Sequence, residues 1–191
     1  MKIRLMLSLL AILVLLQVKN LNKEIPIVEE IVIEDVQDEP EIVHEIEEFL
    51  NAIGRLESNN RYDVVNPYGF MGKYQFSPRT VKYLGFTVSR EEFLSNPSLQ
   101  DEVMMTYLYY NYNALKRYIT RYNDTYHKGI YITTSSILAG AHFAGAQGVK
   151  SFFISTDSTG TTDSNGMTLR KYMRQFSGYH LDRDVIEQGV I

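Results

Sequence analysis

One stretch limits what this chain can fold into: Ile53 to Thr80, IGRLESNNRYDVVNPYGFMGKYQFSPRT. A helical apolar pattern runs into Glu57-Ser58 and stops. A polar segment rich in Asn, Pro and Gly follows. The chain then returns through Gly72-Lys73-Tyr74-Gln75-Phe76 to Ser77-Pro78, a cap and first-turn pair that starts a new helix. A carboxylate is thereby set at a helix C-terminus beneath an aromatic-rich loop. There it meets the negative end of the helix dipole, and this, like partial burial, favours a protonated acid. An acid placed so can donate to a glycosidic oxygen.

The apolar residues Ile42, Ile46, Phe49, Leu50 and Ile53 recur at helical spacing, which predicts a helix over 41–57 with Pro40 at its start. Beyond the loop, Gly85 closes a short helix and Ser89-Arg90-Glu91-Glu92 reads as a capping box. Asn96-Pro97 opens a helix carrying Leu99, Val103, Tyr107, Tyr110 and Ala114. Thr133 or Thr134 caps a helix bearing Ile137, Leu138 and Ala141, which Gly145 and Gly148 separate from a helix leading to Phe153. Ser155 to Gly166 is a polar loop, and Thr168 caps a last helix that Gly178 stops. No alternating strand pattern appears after residue 50, so the fold expected is mainly α, a single domain over 41–191.

The first forty residues differ. Lys2 and Arg4 precede an apolar run from Leu5 to Leu16, the layout of an export segment over 1–19. The run falls short of the ~20 apolar residues of a full span. Gln17-Val18-Lys19-Asn20 offers no small-x-small cleavage site. An uncleaved segment would attach the chain to a membrane through residues 5–16, placing it in the cell envelope or periplasm. Residues 20–40 read as an acidic tether. No Cys occurs, so neither a disulfide nor a lipid-bearing Cys is available. Residues 1–50 hold 11 acids and 4 bases, and residues 51–191 hold 12 acids and 15 bases. A mildly basic domain suits an anionic polymer, but its bases are too few and scattered to indicate nucleic acid.

The loop resembles that of the soluble lytic transglycosylases, lysozyme-like enzymes that cut peptidoglycan. Their Glu-Ser, Ser-Pro-x-Gly-x-x-Gly-Leu-Met-Gln, Pro and Thr are matched by Glu57-Ser58, Asn66-Pro67-Tyr68-Gly69-Phe70-Met71-Gly72-Lys73-Tyr74-Gln75, Pro78 and Thr80. Asn66 replaces the family's Ser, and Lys73-Tyr74 its Leu-Met. Ala141-His142-Phe143-Ala144-Gly145 is similar to the family's Ala-Tyr-Asn-Ala-Gly, with His-Phe for Tyr-Asn. The resemblance spans roughly 41–149.

It implies a lysozyme-like domain with a substrate cleft and glycan strands of peptidoglycan as partner. Glu57 would act alone as acid and then base, cleaving the β-1,4 bond between N-acetylmuramic acid and N-acetylglucosamine to a 1,6-anhydromuramoyl product without a cofactor. It further implies substrate contacts from Ser58, Asn66, Tyr74, Gln75, His142 and Phe143. Four of them have a plainer alternative. Ser58 either bonds near Glu57 or caps the helix, Asn66 either meets substrate or shapes a turn, and Gln75 either meets sugar or bonds the loop backbone. His142 either faces the cleft or sits satisfied in the core.

Two other outcomes stay open. A water positioned by Asp63 or another acid would make the reaction hydrolytic, as in a goose-type lysozyme. A non-catalytic peptidoglycan-binding or envelope-assembly module would need no helix-end acid. The four His show no metal-ligand spacing, so no metal site is expected. Asp163-Ser164-Asn165-Gly166 begins like a calcium loop but lacks the later Glu, and reads as a turn.

Overall fold

The α1 helix runs from Glu39 to Ser58. Its apolar stripe is the one the spacing predicts, with Phe49, Leu50 and Ile53 buried. The structure, a computed structural model, describes residues 39–181 and 183–188. The export segment and nearly all of the acidic tether lie outside the described residues. Two successive asparagines stop α1: Asn59 (φ 58°) and Asn60 (φ 60°) take left-handed backbone, which Asn tolerates better than most residues. Their N–H groups donate to the carbonyls of Arg55 and Gly54.

Residues 61–77 cross the end of α1 as an irregular loop tied by the bridges Val65–Met71 and Met71–Phe76. Helix α2 (Pro78–Tyr83) starts where Ser77 accepts a bond from the Thr80 N–H. Ser89 caps α3 (Arg90–Ser95) by accepting from the Glu92 N–H. Asn96 caps α4 (Pro97–Tyr122) through the Leu99 N–H. The buried face of α4 coincides only in part with the apolar positions expected, for Val103 is buried and Leu99 and Tyr107 pack against the core. Tyr110 and Ala114 point to solvent, while Gln100, Met104, Leu108, Asn111 and Leu115 are buried with Val103. Gln100 goes inside because its amide is fully used, accepting from the Lys73 N–H and donating to the carbonyls of Tyr62 and Phe93.

A hairpin that the sequence pattern did not reveal follows, with β1 (Thr125–His127) antiparallel to β2 (Ile130–Ile132). Lys128 (φ 49°) and Gly129 (φ 76°) form its two-residue turn. Helix α5 (Thr134–Ile154) opens with a full capping box between Thr133 and Ser136. Gly145 (φ 70°, ψ 163°) kinks it, while Gly148 continues as helix. Thr168 caps α6 (Leu169–Gln175), and a further short helix, α7 (Arg183–Gln188), comes after the one expected to be last.

The domain is therefore mainly α, as the sequence predicts. Helix α5 packs against both α4 and α6. One cluster of buried side chains joins Phe49 and Ile53 of α1 to Met104 and Leu108 of α4 and Leu138 of α5. A second joins Leu115, Ile137, Phe152 and Met173. Each such residue contributes about 1.5–3 kcal/mol on burial. Among the described residues no helix is long and apolar enough to cross a membrane.

Candidate active site

Glu57 sits in the last turn of α1, where the dipole turns its negative end outward. Its side chain is 24% exposed. Oε1 accepts a 2.8 Å hydrogen bond from the hydroxyl of Tyr172 on α6, 115 residues further along the chain. The His142 Nε2 on α5 stands 4.0 Å from the same oxygen. Three helices thus converge on one carboxylate, at a pocket of roughly 540 Å³.

Five expected site residues line this pocket: Glu57, Asn66, Gln75, His142 and Phe143. Asn66 also makes the turn of the plainer alternative, its Oδ1 accepting from the N–H groups of Tyr68 and Phe70. Gln75 holds a left-handed backbone (φ 51°), uncommon for a residue with a Cβ. Its Nε2 donates to the Gly72 carbonyl at 2.8 Å, so the bond to loop backbone forms at the pocket wall itself. Phe143 lies tilted on the Tyr172 ring, centroids 4.8 Å apart.

Ser58 and Tyr74 do not reach the pocket, and both assignments to substrate contact are corrected. The Ser58 hydroxyl donates to the Lys73 carbonyl at 2.8 Å and accepts from the Arg61 N–H. It pins the returning loop to the end of α1. Tyr74 is fully buried and donates to Asp101 Oδ1 at 2.6 Å. Burial, then that hydrogen bond, pushes its hydroxyl far above the usual tyrosine value, so it stays a donor. Lys73 turns inward with it, its Nζ donating to Asn51 and Tyr62 and lying 3.8 Å from Asp101. Burial pulls the ammonium below the ordinary lysine value, against the opposing pull of Asp101 and Glu47. Lys73 and Tyr74 together form a charged and hydrogen-bonded loop anchor.

His142 combines the two readings offered for it. Its side chain is 7% exposed and packs edge-on against Phe76 and Tyr107, yet it belongs to the pocket wall. Burial holds the imidazole below the ordinary histidine value, against the raising effects of Glu57 and the nearby Tyr74 backbone. Nδ1 has no hydrogen-bond partner; the Tyr74 backbone lies close without making a well-formed bond to it.

Tyr172 is the site residue the sequence did not disclose. Burial, reinforced by Glu57, raises its hydroxyl well above the usual value, which keeps it a phenol donating to the carboxylate. Asp63 is exposed, pairs with Arg61 and is not part of the pocket. Asp163 is part of it. The turn expected at 163–166 forms, with Asp163 Oδ1 accepting from the N–H groups of Asn165 (2.9 Å) and Met167 (2.8 Å). Tyr68, 78% exposed, and Phe70 add aromatic surface. The basic balance of the domain does not extend here, for no Lys or Arg lines the pocket. No group of three or more metal-ligating side chains forms among the described residues.

Comparison of the chain with family models, curated proteins and solved structures returns no match.

Proposed function

We propose that this chain is a peptidoglycan-cleaving enzyme of the lytic transglycosylase type, lysozyme-like in fold, with Glu57 as acid and then base. The observation that carries this reading is the Glu57 carboxylate, held by Tyr172 at the end of α1 inside a walled pocket. Tyr172 occupies Oε1 as a donor, which assigns the transferable proton to Oε2. That proton passes to the glycosidic oxygen as the bond from C1 of N-acetylmuramic acid breaks, and the bonding electrons leave with the oxygen. The ionised Glu57 then takes the C6 hydroxyl proton as O6 attacks C1. A 1,6-anhydro sugar forms, Glu57 regains its proton and no water is consumed. The N-acetyl group of the same sugar shields the cation. Aromatic faces at Tyr68 and Phe70 suit sugar stacking. Export through residues 1–19 would bring the enzyme to its substrate in the cell envelope.

Hydrolysis is the second reading, and Asp163 favours it. As the other carboxylate of the pocket it takes over from Asp63 the part of holding an attacking water. Mass spectrometry of the released muropeptides separates the two. Anhydro ends lighter by one water support the transglycosylase, and reducing ends alone overturn it.

A pH profile tests the Glu57–His142 contact. A charged His142 favours ionised Glu57 and removes the proton the first step needs. Burial lowers the His142 value, so activity holds as pH falls to the ordinary histidine range near 6.5 and declines below it. The same sign applies to stability: the depressed value makes the His142 contribution complete above about pH 6.5 and lost on further acidification. In His142→Gln the acid limb of kcat/KM moves to lower pH. An unmoved limb would show that His142 acts only in packing.

A further inference from the structure

Residues 51–191 carry 15 bases against 12 acids, yet the pocket holds two carboxylates, Glu57 and Asp163, and none of those bases. A concave site of one sign concentrates ions of the other. Glu57 enters the reaction as the protonated acid, so Asp163 supplies the negative charge of the pocket, opposite in sign to the domain balance. His142 does not offset it near neutral pH, since burial keeps the imidazole uncharged.

The Asp163 carboxylate is also set in direction. Oδ1 is spent on the backbone N–H groups of Asn165 and Met167. The loop is closed behind it by the Thr162–Thr168 bridge and by the Leu169 N–H donating to the Thr161 carbonyl at 2.7 Å. Oδ2 takes no hydrogen bond among the described residues. Tyr68 and Phe70 on the same pocket offer ring faces, which attract cations as well as sugars.

We infer that Asp163 makes this pocket selective for glycan substrates that carry a free ammonium group. The inference rests on the glycan-cleaving reading above and names the substrate class of the same site. Two sources supply that group: an amino sugar lacking its N-acetyl substituent, or a free amine on a peptide stem. Either pairs with Asp163 Oδ2, while a substrate carboxylate is repelled.

Binding tests this without turnover. The full chain carrying Glu57→Gln is titrated calorimetrically at mildly acidic pH and low salt with two pairs of probes. One pair is glucosamine tetramer and N-acetylglucosamine tetramer. The other is a disaccharide-peptide with its stem amine free and the same molecule with that amine acetylated. In at least one pair the ammonium-bearing probe binds about fivefold tighter, the scale of a partly exposed ion pair. The pair that discriminates identifies the source. The preference shrinks with added salt and disappears in Asp163→Asn, which keeps Oδ1 for the two N–H groups and so keeps the loop. Equal affinities in both pairs, a preference that survives Asp163→Asn, or no binding of any probe overturns the inference. Cleavage of sacculi is judged separately. Release of anhydro products without an ammonium preference removes this inference alone, and an Asp163-dependent preference without release removes the catalytic reading alone.

Discussion

Glu57→Gln is expected to fold like the parent chain and to release no muropeptides from peptidoglycan sacculi. The amide keeps Oε1 as acceptor for the Tyr172 hydroxyl, so the 2.8 Å contact between α1 and α6 survives. On the proposed mechanism, what is lost is the proton that enters the glycosidic oxygen and the base that takes the C6 proton. A positioned acid or base contributes about 10²–10⁴-fold, and one group filling both parts puts the loss at the upper end or beyond. Thermal melting verifies the fold, and release of soluble sugar measures the loss. Tyr172→Phe provides the graded comparison. It removes one hydrogen bond of about 0.5–1.5 kcal/mol and leaves the acid, so release falls roughly two- to tenfold. Undiminished release by purified Glu57→Gln overturns the assignment of Glu57.

Helix starts were legible because their chemistry is local. Ser77, Ser89, Asn96, Thr133 and Thr168 each accept from an N–H three residues on, and each was readable from one side chain and its near neighbours, Thr133 to within one residue. The hairpin at 125–132 was not, because its turn is Lys128-Gly129 rather than Asn-Gly and its strands are three residues long. The buried face of α4 misled for another reason. Gln100 and Asn111 are polar yet inside, and periodicity counts only apolar residues.

The candidate site divides in the same way. Glu57, Asn66 and Gln75 lie within twenty residues of each other, and a loop motif can bring them together. Tyr172 reaches Glu57 only through the packing of α5 against α6, and no spacing in the chain encodes that contact. Asp163 was visible as a turn former, while its place on the pocket wall depends on tertiary packing. Tyr74 was misplaced because the next residue, Gln75, lines the pocket, whereas its own partner Asp101 comes from α4.

The loop itself is the other place where one atom should matter. Gly72 has φ 70°, and a Cβ built there would lie 1.9 Å from Gln100 Oε1. Gln100 cannot yield cheaply, being fully buried and bonded to the Lys73 N–H and to the carbonyls of Tyr62 and Phe93. Gly72→Ala therefore adds left-handed strain of about 1–2 kcal/mol to the loss of bonds worth about 1–3 kcal/mol for each buried group left unpaired. A total of about 3 kcal/mol or more lowers Tm by roughly 6–12 °C in a domain of this size. Gly69→Ala separates the two causes. Gly69 also has positive φ (86°), but nothing lies within 4 Å of its added Cβ, so only the strain applies. The Gly72 variant should melt several degrees below the Gly69 variant. It should also lose more activity, because Gln75 is tied to the Gly72 carbonyl and moves with it. Equal melting of the two variants would show that Gln100 swings away freely, and that the buried amide does not hold the loop over Glu57.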